Sequence, residues 1–90
     1  MATLMITYNL NDHDDDYDKL FKLIKDLGDT WHDAKILDSV WFVKTSKTPT
    51  QAREQTEAGL DRNDYCFITD ITSSAQAWRM PTTFWDWLKA

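Results

Sequence analysis

An α+β domain with its elements in the order β-α-β-β-α-β is what this sequence predicts, and three observations predict it. In Ala2–Asn9, Leu4, Ile6 and Tyr8 fall on one side of an extended chain and Thr3, Met5 and Thr7 on the other. Two later stretches rich in aromatic and β-branched residues, Val40–Thr45 and Tyr65–Ile71, have the length and composition of strands. Two stretches between them carry helix marks: an apolar stripe at Tyr17, Leu20, Phe21, Leu23, Ile24 and Leu27, and a capping signal at Thr48–Gln51.

Taken in order, the first strand stops at Asn9, and an acidic loop, Asn11-Asp12-His13-Asp14-Asp15-Asp16, leads into the first helix. Asp14, Asp15 or Asp16 caps that helix, where negative charge meets the positive end of the helix dipole. Lys19, Lys22 and Lys25 form its outer face, and Gly28 is the expected C′ stop. Thr30–Leu37 mixes polar and apolar residues without clean alternation, as an edge strand does. Leu37-Asp38-Ser39 reads as a hairpin turn into the strongly apolar Val40–Val43, which ends at Lys44-Thr45.

Thr48-Pro49-Thr50-Gln51 is a capping box with proline at the first helical position, and the helix it opens runs to about Leu60. Ala52, Thr56 and Gly59/Leu60 are small enough to let this helix lie close on a sheet. Asp61–Asp64 is a turn before the last main strand, in which Tyr65, Phe67, Thr69 and Ile71 share one side and Cys66, Ile68 and Asp70 the other. An aromatic C-terminal tail follows, with Thr82 or Thr83 as the expected cap of a short helix over Phe84–Leu88.

Residues 1–90 form one domain. The order of elements is that of a ferredoxin-like fold: an antiparallel sheet with the first and third strands central and both helices on one face. The other face then needs a cover. The first, third and fourth strands carry large apolar groups in both alternating sets, including Met5, Phe42 and Phe67. A solvated face would not look like this. The tail covers part of it, and a second copy, sheet against sheet in a twofold homodimer, is the simpler cover.

A net charge of −5 argues against a general electrostatic grip on RNA or DNA and equally fits attraction of a basic protein partner. The single Cys66 excludes an internal disulfide and a cysteine-based metal cage. There is no basic leader before an apolar run and no apolar stretch near ~18 residues, so the expectation is a cytoplasmic protein with no membrane association.

Antiparallel pairing gathers Asn9, Asn11, Asp12, Asp38, Ser39 and Asp64 at one end of the sheet. Their chemistry allows a weak Mg²⁺ or Mn²⁺ site at Asn9, Asn11 and Asp12, with Asn9, Asp38 and Asp64 as catalytic candidates activating a water for phosphodiester cleavage. The competing account is that these are turn formers and helix caps. His13 and His32 have no metal-ligand spacing, and Asp70 is placed to bond backbone donors in the turn after its strand. The Trp-rich tail has few cations beside it, so packing is a better account of it than base stacking.

The strand ending Ile6-Thr7-Tyr8-Asn9-Leu10, the acidic junction into a helix and this order of elements resemble the small CRISPR-associated Cas-two proteins and their VapD-like relatives. Leu37–Thr45 (LDSVWFVKT) and Ile68–Thr72 (ITDIT) are closer still to the Cas-two-like proteins labelled SinR-like. The resemblance implies a homodimer of ferredoxin-like domains that acts by protein or nucleic-acid interaction in a defence, toxin–antitoxin or mobile-element setting. Its alternative implication is a metal-dependent endoribonuclease or other nuclease. In that family an Asp commonly follows the Tyr at the end of the first strand and is linked to the metal. The matching residue here is Asn9, whose neutral amide oxygen is a weaker Mg²⁺ ligand than a carboxylate.

Overall fold

The structure is a computed structural model, and it describes residues 1–10, 17–73 and 79–90. Four strands, β1 (Ala2–Asn9), β2 (Thr30–Leu37), β3 (Val40–Thr45) and β4 (Tyr65–Asp70), form an antiparallel sheet in the order β2-β3-β1-β4. Helix α1 (Asp18–Lys25) follows β1, α2 (Pro49–Thr56) and a 3₁₀ turn (Glu57–Gly59) lie between β3 and β4, and α3 (Thr82–Lys89) ends the chain.

Alternation places the core. Leu4 and Ile6 of β1 face the same way as their cross-strand partners Val43 and Trp41, and all four are buried. Leu20 and Ile24 of α1 and Ala52 of α2 pack on that side. Burying each such aliphatic side chain contributes about 1.5–3 kcal/mol relative to leaving it in water. Met5, Thr7, Phe42, Phe67 and Thr69 belong to the opposite side. Here α3 covers the β2–β3 portion: Phe84 is buried edge-on to Phe42 (ring centroids 4.7 Å apart) and His32 (5.4 Å). Trp87 also meets His32 edge-on, at 4.8 Å, and Lys44 Nζ lies 5.0 Å from the Trp87 ring centre and donates to the Trp87 carbonyl. The tail therefore covers this portion, while among the described residues Tyr65 and Phe67 of β4 stay exposed on the same side of the sheet.

The ends of the helices correct several expectations. The expected caps Asp14–Asp16 lie outside the described residues, and Tyr17 occupies the N-cap position of α1 without a capping side-chain bond. Gly28 is not a left-handed stop, for no glycine has a positive φ. The helix ends at Lys25, and Gly28 is required by close approach instead: a Cβ there would stand 1.8 Å from the Lys44 carbonyl oxygen. Gly59 plays the same part against α1, where a Cβ would lie 2.5 Å from Leu20 Cα. At α3 the N-cap is Pro81, so neither Thr82 nor Thr83 caps it with its hydroxyl. The Thr48 capping box forms in full: Gln51 N–H donates to Thr48 Oγ1 (3.2 Å) and Thr48 N–H to Gln51 Oε1 (2.9 Å).

Candidate functional site

The end of β1 meets the β2–β3 hairpin and the start of β4. Tyr8 N–H donates to the Ser39 carbonyl at 3.1 Å, and Asn9 pairs with Tyr65. The hairpin turns on Asp38 and Ser39, and Ser39 has φ 61°, a left-handed conformation that residues with a Cβ adopt at a cost. Asn9, Asp38 and Asp64 thus do share one end of the sheet, as their places in the sequence predict.

Their side chains go to different uses. Asn9 belongs to the alternating set of Met5 and Thr7, on the side opposite α1. Asp64 turns toward α1, where its Oδ1 accepts from the Tyr17 hydroxyl at 3.1 Å and its Oδ2 from Asp61 N–H at 2.7 Å. That carboxylate closes the turn before β4 and ties it to the start of α1. Asp38 is exposed in its turn. Among the described residues no group of three or more His, Cys, Asp or Glu side chains comes together in a way that could hold a metal ion. Asn11 and Asp12 of the expected metal site, and His13, lie outside the described residues. His32 is enclosed by Phe84 and Trp87. Asp70 behaves as its position suggests: its Oδ1 accepts from Thr72 N–H (2.9 Å) and from the Thr72 hydroxyl, and these bonds hold its carboxyl below the usual range.

Three surfaces that site-by-site reading missed are better formed. On the helix side, Phe21 stacks on Trp41 (5.7 Å) and leans on Tyr8 (6.1 Å), and Lys25 Nζ lies 5.9 Å from the ring centres of both Trp31 and Trp41. Trp41 Nε1 donates to the Tyr8 hydroxyl at 3.0 Å. Burial outweighs that bond and pushes the Tyr8 phenol above its ordinary value. On the open side, Tyr65 and Phe67 stand 75% and 63% exposed beside Thr7 and Asn9. Between α2 and β4 runs a groove of about 400 Å³, with Arg53 and Glu57 on its helix wall and Cys66 and Ile68 on its strand wall. Burial raises the Cys66 thiol above its ordinary value. The signal for the last two surfaces is in the sequence: Tyr65-Cys66-Phe67-Ile68 is apolar on both sides, though only the strand order shows that it lies at an edge.

No protein-family model, curated protein or solved structure matches this chain.

Proposed function

We propose that this chain is a non-catalytic binding protein of ferredoxin-like fold, a Cas-two/VapD-like homodimer close to the SinR-like group, working by macromolecular contact rather than by cleavage. The order of elements and the strand order β2-β3-β1-β4 support the ferredoxin-like reading. One observation carries the binding reading: two large aromatic side chains, Tyr65 and Phe67, stand 75% and 63% exposed side by side on a strand. Exposed aromatic patches on small domains mark contact surfaces, because leaving such rings in water forgoes about 1.5–3 kcal/mol for a phenylalanine-sized group. The rings lie on β4, the outer strand beside β1, and the dimer contact involves this strand.

The alternative, a nuclease using Mg²⁺ or Mn²⁺, draws no support from Asp64, whose two oxygens hold a turn together. The test joins two measurements. Sedimentation at micromolar concentration is expected to give twice the 10.6 kDa chain mass, and Phe67→Lys to return it to one. RNA and DNA incubated with Mg²⁺ or Mn²⁺ are expected to survive intact. Metal-dependent cleavage that disappears in Asp38→Ala or Asp64→Ala would overturn the reading in favour of the nuclease.

A further inference from the structure

We infer that a second copy of this chain docks edge to edge along β4, the two strands pairing antiparallel about a twofold axis at Ile68, so that two four-stranded sheets continue as one. This rests on the homodimer reading above and deepens it by naming the edge and the register of the contact.

The two edges of the sheet are built differently. On β2, Asp33 and Lys35 put charges on the strand, and the ladder with β3 breaks between His32 and Leu37. Charges and bulges are the devices that keep an edge from recruiting another strand. Edge β4 has neither device. It pairs with β1 without a break from Asn9↔Tyr65 to Leu4↔Asp70, and along its 6 residues, YCFITD, the only charge is the terminal Asp70.

Backbone geometry says which groups this edge offers. Ile71 N–H donates to the Thr3 carbonyl at 2.9 Å. In an antiparallel ladder such bonds recur at every second residue. Tyr65, Phe67 and Thr69 therefore turn their backbone groups toward β1, and Cys66, Ile68 and Asp70 turn theirs outward. These outward groups take no strand partner among the described residues. Two copies of β4 can pair only with outward residues opposite outward residues. Two registers near the strand centre meet this condition, one about Phe67 and one about Ile68. The Phe67 register sets Asp70 opposite the partner's Asp64, and like charges directly opposite destabilise a ladder. The Ile68 register sets Cys66 opposite the partner's Asp70 and Phe67 opposite the partner's Thr69. It leaves the two Phe67 rings diagonal, at about 7–8 Å, within reach of aromatic side chains.

Charge makes the same surface self-complementary. Arg53 and Glu57 sit one turn apart on the α2 wall of the groove, 3.7 Å from each other and 61% and 68% exposed. A twofold axis beside them sets the two α2 helices antiparallel across the seam, with each Arg53 facing the partner's Glu57. An isologous interface can use such a reciprocal pair, since each copy presents both charges. Edge pairing also brings the flanks of the exposed Phe67 rings of the two copies toward each other on the open face of the joined sheet.

Two variants test the geometry. Directly opposed hydrogen-bonded residues lie about 5.5 Å apart at Cα, within the span a disulfide bridges. Asp70→Cys under mild oxidation is expected to cross-link to native Cys66 of the second copy, giving a covalent dimer on a non-reducing gel that vanishes when Cys66→Ser is added. Arg53→Glu is expected to weaken dimerisation about tenfold through its two symmetric pairs, and adding Glu57→Arg to restore it. Arg53 and Glu57 are exposed, so the charge exchange leaves the fold intact, and if Asp70→Cys unfolds with the loss of its Thr72 bonds, the charge exchange decides alone. A native dimer that neither cross-links nor responds to the charge exchange overturns edge pairing while leaving the binding reading standing. A native chain that sediments at 10.6 kDa overturns both.

Discussion

The β2–β3 side of the sheet and the β1–β4 side are made from similar residues and end in opposite conditions. On the first, Phe42, His32 and Lys44 lie under Phe84 and Trp87 of α3, and the outer strand is charged and irregular. On the second, Tyr65 and Phe67 face solvent and the outer strand is regular and nearly uncharged. The lesson is that apolar residues on a strand do not tell by themselves whether they serve the core or a partner. What decides is whether the chain has an element of its own left to lay over them. Here, among the described residues, one short helix of 8 residues, α3, covers Phe42 and His32 and leaves Tyr65 and Phe67 exposed.

The comparison breaks most sharply at Phe84. It is 3% exposed at the centre of the covered side, so Phe84→Ala is expected to cost about 3–5 kcal/mol in urea unfolding. Phe67→Ala on the bare side is expected to change monomer stability by no more than about 0.5 kcal/mol. Equal losses would mean that the two sides do not differ. Gly28→Ala comes next. Its added methyl meets the Lys44 backbone on the covered side, and an overpacked contact of this kind is expected to cost about 3 kcal/mol, read as a fall in the unfolding midpoint.

Removing the guards of β2 would erase the difference between the edges. Asp33→Val with Lys35→Val is expected to leave the fold in place and, if β4 pairs as proposed, to convert the dimer into longer assemblies, seen by light scattering, because each chain would then have two unguarded edges. Ser39→Gly relieves the left-handed strain at the hairpin and is expected to raise stability by about 0.5–1 kcal/mol. The smallest effect concerns acid. Thr72 holds the folded Asp70 carboxyl below its ordinary value, so its contribution is present above the usual carboxylate pKa and is lost as pH falls through the lower, folded value. Between pH 6 and pH 3 the native chain is expected to lose slightly more stability than Asp70→Asn.

Much of the fold was legible because its signals are local. The alternation of Leu4, Ile6 and Tyr8, the Thr48–Gln51 capping box and the Asp38-Ser39 turn each depend on residues a few positions apart. The helix ends were less legible. Gly28 looks like a left-handed stop because glycine after an apolar stripe usually is one, but here it answers to the Lys44 backbone, which lies far away in sequence. The candidate site was legible only as a location. Pairing rules bring Asn9, Asp38 and Asp64 to one end of the sheet, but which way Asp64 points depends on Tyr17, 47 residues away along the chain, whose hydroxyl donates to one of its oxygens.

The sequence by itself determined the strands, the helices, their order and the two apolar sets on the central strands, since period and capping are properties of neighbouring residues. It took contacts across the fold to settle which apolar set is buried by helices, that α3 closes over β2 and β3, and that β4 lies at an edge of the sheet. Those outcomes depend on contacts between residues distant along the chain, where burial and backbone pairing are settled together.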